Sequence, residues 1–177
     1  MKLEPLARPA AALALTLTLT LAASALAAPT APTAPADPYQ PLEFLVGHCW
    51  KGTFPQSTRT DEHCFSRVYD GKFLRDEHVV RRDGAPDEFG ETLYVWNSAA
   101  GQLEYLYIES GGGFMRGTVG TDARTLVFPE APYVDGGKSM NVRSRWQRSG
   151  EASYEVATEF ELGGRWVAAF SLQMQRE

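Results

Sequence analysis

Residues 44–175 alternate between short runs rich in Val, Tyr, Phe, Thr and Trp and tight turns that contain glycine. Turn sequences such as Asp70-Gly71 and Gly163-Gly164 separate runs of about ten residues, a spacing typical of an all-β sandwich or barrel. No window of about 11 residues shows a helical apolar stripe, and the one helical turn that we expect lies at residues 41–45. The pattern predicts about ten strands, at residues 44–54, 58–69, 72–82, 88–97, 102–109, 113–119, 124–129, 139–148, 152–161 and 164–175.

The beginning of the chain follows a different pattern. Residues 10–28 carry no charged side chain, follow the basic residues Lys2 and Arg8, and include the small-residue sequence Ala25-Leu26-Ala27. These three features together are typical of a cleaved secretory signal peptide, which we assign to residues 1–27. The alternative is a transmembrane anchor, but four residues of the run are Thr or Ser and no basic cluster follows it.

A proline-rich segment separates this leader from the predicted strands. Residues 28–40 contain four prolines among alanines and threonines, which is too many for a helix or a central strand. We therefore expect an extended linker, followed by one barrel domain at residues 41–177. A periplasmic or secreted location is expected for the mature protein.

The two cysteines predict the register of the first hairpin. In a secreted chain, a single pair of cysteines most often forms a disulfide. If Cys49 faces Cys64 on antiparallel strands, then Trp50 faces His63. The alternative is two free, buried thiols.

An Asp-Gly turn predicts the register of the second hairpin. Asp70-Gly71 suits the centre of a type I′ turn, and such a turn places His63 opposite His78 and Phe65 opposite Asp76. Directly opposed residues share a face of the sheet. The two registers therefore place all three histidines of the chain on one inner face, in the set His48, Trp50, His63, Phe65, Asp76 and His78, with Asp61 nearby.

A later hairpin supplies more of the expected inner face. We place a three-residue loop at Ser149-Gly150-Glu151. The pairs expected from this loop are Trp146–Tyr154, Ser144–Val156 and Met140–Phe160 inside the barrel, and Arg145–Glu155 and Asn141–Glu159 outside it. An aromatic stripe on two earlier strands either lines a pocket or belongs to the core: Tyr94, Trp96, Tyr105 and Tyr107.

Three short motifs resemble one known group of proteins. The domain begins with Phe44-Leu45-Val46-Gly47-His48-Cys49-Trp50-Lys51-Gly52 and continues with Asp70-Gly71-Lys72-Phe73-Leu74-Arg75 and Gly90-Glu91-Thr92-Leu93-Tyr94-Val95-Trp96. These motifs resemble calycin-type barrels, which include lipocalins, fatty-acid-binding proteins and bacterial lipocalin-like proteins. The resemblance implies a single closed antiparallel up-and-down barrel around a small apolar ligand, and it does not imply an enzyme.

Two features depart from that group. The group usually has the spacing Gly-x-Trp, whereas two residues separate Gly47 from Trp50 here. Nitrobindin-like members bind haem through a histidine late in the barrel, but this chain has no histidine after His78. That haem site is therefore not expected.

Composition and charge narrow the class of partner. The chain has 177 residues, is 44% hydrophobic and has a formal net charge of −5, which fits one globular domain. An acidic balance argues against a nucleic-acid partner, which needs a basic face. We expect a small-molecule partner and no stable membrane insertion after signal cleavage.

The inner His/Asp cluster admits three interpretations: a hydrogen-bonded polar patch, a direct ligand contact, or a metal or haem site. The chain contains neither C-x-x-C nor H-E-x-x-H, so we expect no cofactor, no metal and no catalytic residue. The leading hypothesis is a secreted non-catalytic barrel that binds a small apolar or amphipathic ligand. The expected ligand-binding residues are His48, Trp50, His63, Phe65, Asp76, His78, Trp146 and Tyr154.

Three alternatives stay open at this point. The first is an isomerase or hydrolase in which a His–Asp contact supplies a general base. The second is a metal- or haem-binding barrel that uses the same cluster, and the third is a purely structural or interaction protein. Adjacent imidazoles inside a barrel resist double protonation, so the pKa of His63 or His78 is expected to lie below about 6.5.

Overall fold

The computed structural model describes residues 37–177, which form ten antiparallel strands after a short 3₁₀ helix at Gln40–Leu42. Each strand pairs with its neighbours in sequence, and the first strand also pairs with the last, so the sheet is a closed barrel. The strands are β1 (Cys49–Thr53), β2 (Thr60–Val68), β3 (Phe73–Arg81), β4 (Glu88–Asn97), β5 (Gln102–Glu109), β6 (Phe114–Asp122), β7 (Thr125–Asp135), β8 (Lys138–Arg148), β9 (Ser153–Leu162) and β10 (Arg165–Arg176).

This architecture confirms the predicted all-β, closed, up-and-down barrel. The predicted signal peptide at residues 1–27, and the linker as far as residue 36, lie outside the described residues. Within residues 37–177, no helix is long and apolar enough to cross a membrane.

The first two predicted registers are confirmed. Cys49 pairs with Cys64 and the two form a disulfide, and Trp50 pairs with His63. On the next ladder, His63 pairs with His78. Asp70 and Gly71 have φ angles of 56° and 77°, as both central residues of a type I′ turn require.

The predicted register between β8 and β9 is wrong by two residues. Trp146 pairs with Val156 rather than with Tyr154, Ser144 pairs with Thr158 and Arg145 pairs with Ala157, while Met140 and Asn141 precede the first pair of this ladder, Val142–Phe160. The cause is that Ser149 still belongs to the ladder, since its N–H donates to the carbonyl of Ser153 at 3.0 Å. The loop is therefore Gly150-Glu151-Ala152, and because the error is an even number of residues, each side chain keeps its predicted face.

The predicted strand at 124–129 is too short. Proline has no N–H to donate to a ladder, so Pro129 interrupts the regular pairing of this strand. In the structure the register of β7 against β8 shifts between Phe128 and Ala131. This bulge takes up Pro129 and Glu130, and the strand then continues to Asp135.

The segment before β1 closes one end of the barrel. Leu42 and Leu45 are fully buried there, and the indole N–H of Trp50 donates to the carbonyl of Leu45 at 3.2 Å. The hydroxyl of Tyr39 donates to the carbonyl of Lys72 at 2.8 Å. We call residues 39–46 the plug; the opposite end of the barrel has no equivalent segment among the described residues.

Candidate functional site

The barrel encloses a cavity of about 280 Å³ between the plug and the opposite end. Aromatic side chains form much of its wall: Tyr94, Tyr105, Tyr107, Phe128 and Trp146. The cavity reaches the unplugged end beside Phe89, which is 57% exposed. We call that end the mouth.

One wall of the cavity carries two carboxylates and two histidines. Asp61 and His63 alternate along β2, while Asp76 and His78 alternate along β3, so all four share the inner face. His63 Nδ1 lies 2.8 Å from Asp76 Oδ2, and His63 Nε2 lies 3.3 Å from Asp61 Oδ2. Both ring nitrogens can donate only in the imidazolium form, so this geometry selects a positively charged His63.

The electrostatics of His63 agree with its geometry. Burial alone would lower the pKa of His63, but the charges of Asp76 and Asp61 and their hydrogen bonds outweigh burial and raise it to about 10. Burial likewise opposes ionisation of Asp61, yet the charge of His63 and its hydrogen bond lower the pKa of that carboxyl. The three groups form a buried carboxylate–imidazolium–carboxylate triad.

His78 lies beside this triad in a different state. Its ring centre is 4.7 Å from that of His63, and its ring stacks on Tyr107 at 5.6 Å. Burial and the positive charge of His63 lower the pKa of His78. A Cβ atom at Gly90 would lie 2.6 Å from His78 Nε2, so glycine is what allows this ring to lie against β4.

Three polar atoms of this wall are buried without a hydrogen-bond partner among residues 37–177: Asp61 Oδ1, Asp76 Oδ1 and His78 Nδ1. Asp76 is only 1% exposed. A buried polar group without a partner costs about 1–3 kcal/mol. The wall is therefore completed favourably by a molecule that supplies hydrogen bonds.

A second polar group lies nearer the mouth. Glu109 accepts hydrogen bonds from the hydroxyls of Tyr133 at 2.6 Å and Tyr107 at 3.1 Å. Burial and the carboxylate of Glu109 raise the pKa of both tyrosines, which stay neutral donors. Arg59 and Arg143 also line the cavity.

Of the residues near the mouth, Glu109 and Tyr133 were not predicted from the sequence. Glu109 follows Tyr105 and Tyr107 at the spacing of alternate residues on β5, so that alternation was a usable signal. Tyr133 had no such signal, because the predicted strand stopped before it. The bulge in β7 is what carries the strand as far as Tyr133.

Four of the eight predicted ligand-binding residues line the cavity: His63, Asp76, His78 and Trp146. Trp50, Phe65 and Tyr154 are buried on the plug side; the rings of Trp50 and Tyr154 pack 5.1 Å apart. Of the predicted aromatic stripe, Tyr94, Tyr105 and Tyr107 line the cavity, while Trp96 lies on the plug side. Whether any of them contacts a ligand stays a prediction.

The predicted inward orientation of His48 is wrong. His48 precedes β1 and is exposed. Gly47, with a φ of 78°, turns the chain immediately before it. The backbone of His48 still contacts Phe65, whose N–H donates to its carbonyl at 3.1 Å, but its side chain lies outside the cavity.

The same wall also brings together side chains that can ligate a metal ion. His63, Asp76 and His78 each offer one ligand atom, and these atoms lie within 4.8 Å of one another. Imidazole and carboxylate are the donors that zinc prefers after thiolate. A metal here would compete with the proton that His63 shares with Asp76.

No family model matches the chain, and no curated protein matches it significantly. The closed ten-stranded antiparallel barrel is consistent with a calycin-like fold.

Proposed function

We propose that this protein is a secreted or periplasmic, non-catalytic barrel of the calycin type that binds a small amphipathic molecule in its interior. The observation that carries the proposal is the cavity of about 280 Å³, whose aromatic wall adjoins a cluster of buried polar atoms without partners. Pockets for small molecules combine a mostly apolar lining with a few placed polar groups in this way.

The two parts of the wall suit the two parts of such a ligand. Tyr94, Tyr105 and Trp146 offer flat apolar surfaces for a ring or a short chain. The cluster around Asp76 and His78 suits a polar head group, because its unpartnered atoms gain hydrogen bonds on binding.

The compartment in this proposal is supported by the oxidised cysteine pair. Disulfides persist in the periplasm and outside the cell and are rare in the cytosol, and Cys49 and Cys64 are joined. Together with the leader-like sequence at residues 1–27, the disulfide favours export.

A cavity-filling variant tests the proposal. Thr158 lines the cavity, whereas Ala157, next to it on β9, is exposed on the outer face. We expect indole, a small aromatic probe, to bind the purified protein in calorimetry and to shift the amide signals of cavity residues. Thr158→Phe removes that binding, while the matched variant Ala157→Phe retains it.

Native mass spectrometry of the protein purified from its own host is the second readout. A retained small molecule that is lost in Thr158→Phe supports the proposal. If the barrel neither retains a molecule nor binds indole, the proposed function is wrong.

A second candidate function is acid–base catalysis on the bound molecule. The observation in its favour is His78, which faces the cavity with a lowered pKa and whose Nδ1 lacks a partner among residues 37–177; a neutral imidazole of this kind can accept a proton. Incubating the retained molecule with excess fresh protein tests this candidate. Conversion that stops in His78→Phe indicates an enzyme, and recovery of the molecule unchanged indicates a carrier.

A further inference from the structure

The cavity lining carries more negative than positive charge. Its carboxylates are Asp61, Asp76, Glu88 and Glu109, and its cationic groups are Arg59, His63 and Arg143. The two arginines already have acidic partners, since Arg59 Nη2 lies 3.6 Å from Glu88 Oε2 and Arg143 Nε lies 2.6 Å from Glu159 Oε2, although Arg59 Nε has no hydrogen-bond partner among residues 37–177. At the inner wall, two carboxylates share the single charge of His63.

The unpartnered atoms of this wall are mainly acceptors. Asp61 Oδ1 and Asp76 Oδ1 lack a donor among the described residues, and an ionised carboxylate only accepts hydrogen bonds. His78, when neutral, also presents one acceptor nitrogen. A ligand group that complements this wall must therefore donate several hydrogen bonds and carry positive charge.

We propose that the head group of the ligand is a primary ammonium, whose donors and positive charge complement the carboxylate-rich wall that carries Asp61 and Asp76. This inference rests on the proposed binding function and specifies its ligand class as small amines with an aromatic or apolar body. An ammonium group has three donors and no acceptor. A carboxylate head group would instead face acceptors and like charge.

The surroundings of the cluster favour the same class. The rings of Tyr107 and Trp146 line the cavity next to the histidines: Tyr107 stacks on His78, and Trp146 lies 6.0 Å from His63. Aromatic faces attract cations, and this attraction is stronger in a site shielded from water. The remaining aromatic wall is then available to the apolar body of the amine.

A divalent metal would also neutralise this wall, but the contacts favour an amine. A metal bound by His63 and Asp76 must displace the proton that joins them across 2.8 Å. An ammonium complements the charge of the wall without displacing that proton and leaves the triad intact. Metal binding is therefore an outcome that the test must distinguish.

Three matched probes test the inference on the full disulfide-bonded protein at neutral pH. Phenethylamine, phenethyl alcohol and hydrocinnamate share a phenyl ring and a short chain, and they differ in the charge of the head group. We expect calorimetry to show that the amine binds about tenfold or more tightly than the alcohol, as a charge-assisted hydrogen bond requires. Hydrocinnamate binds more weakly than the alcohol.

Variants assign this preference to the carboxylates. Asp61→Asn and Asp76→Asn are each expected to bring the amine-to-alcohol affinity ratio close to one. Glu77→Gln, next to Asp76 but exposed on the outer face, keeps the ratio of the native protein. Because the ratio is measured within each variant, a variant that fails to fold is recognised by its loss of alcohol binding, and the other variant then decides.

Three results would overturn the inference. Equal binding of all three probes, or preference for hydrocinnamate, means that the head group is not cationic, while the binding function stands. Tight binding of Zn²⁺ alone, without any amine preference, assigns the cluster to a metal. Failure of all three probes and of indole means that the proposed function is wrong, and the inference falls with it.

Discussion

His63 and His78 pair directly across β2 and β3, yet their pKa values shift in opposite directions. The Asp-Gly turn and the cysteine pair predicted that these histidines share the inner face. The lowered pKa of His78 has the direction that we expected for one member of the pair. The raised pKa of His63 was not expected, because it depends on a carboxylate at each ring nitrogen. The sequence also could not predict that Gly90 leaves room for the ring of His78, since a glycine within a strand does not show which side chain lies over it.

The first prediction at this scale concerns the dependence of stability on pH. The pKa of His63 is raised from 6.5 to about 10, so its contribution is complete below 6.5 and is lost as pH rises toward 10. We expect the free energy of unfolding, measured with urea, to fall from about pH 7 to about pH 9, by an amount on the order of 1 kcal/mol or more, because the folded state retains a proton that the unfolded chain loses. Several titratable or charged groups surround this pair of histidines. They are Arg59 just before β2, Asp61 on β2, Asp76 on β3, Tyr94 on β4, Tyr107 and Glu109 on β5, and Tyr154 on β9.

The control for this prediction removes one partner of His63. Asp61→Asn leaves only Asp76 to stabilise the imidazolium, so the fall in stability over the same pH range becomes smaller. The outer-face variant Glu77→Gln shows the full fall. A free energy of unfolding that stays constant from neutral to alkaline pH in the native protein would contradict the triad.

At the scale of elements, the hairpins show when turn residues determine register. Asp70-Gly71 fixed the β2–β3 register because both residues take the positive φ of a type I′ turn. The β8–β9 register that we predicted from a loop centred on Gly150 was wrong because Gly150, unlike Gly71, does not adopt a positive φ. A glycine near a hairpin therefore locates the loop only when the backbone needs its conformational freedom there.

The disulfide between β1 and β2 carries the prediction at this scale. Cys49 and Cys64 are separated by 15 residues, and closing a loop of this size stabilises a protein by about 3 kcal/mol in the chain-entropy model. We expect the double variant Cys49→Ala/Cys64→Ala to keep its β-sheet circular dichroism and to melt on the order of 10 °C lower.

Reduction provides the matched control. A reducing agent should lower the melting temperature of the native protein to that of the double variant and leave the variant itself unchanged. Two titratable thiols in the native protein under non-reducing conditions would show that the bridge is absent.

At the scale of the whole molecule, the barrel separates a packed end from a cavity. The plug buries Leu42 and Leu45 at one end, and the cavity occupies the other. The regular turn spacing predicted an all-β sandwich or barrel, and the resemblance to calycin-type barrels implied the closed form that the structure shows. The size of the cavity was not predictable, since it depends on how far rings such as Tyr105 and Phe128, packed 5.7 Å apart, fill the interior.

This separation is the basis of the third prediction. Leu45→Ala removes a fully buried side chain from the plug, and we expect it to lower the free energy of unfolding by about 2–5 kcal/mol. Because Leu45 does not line the cavity among the residues described, the affinity for indole measured well below the melting temperature should not change. A matching loss of indole affinity in Leu45→Ala would show that the two ends are coupled.

The pairing of β1 with β10 has a consequence for the order of events in time. Trp50 pairs with Arg176, and the N–H of Glu177 donates to the carbonyl of Cys49 at 3.0 Å, so the earliest and latest strands form the closing seam. Contacts so distant in sequence form slowly, and the open sheet exposes two unpaired edges until they do. A molecule that binds only inside the closed barrel cannot increase the rate of that closure. It lowers instead the rate at which β1 and β10 separate again.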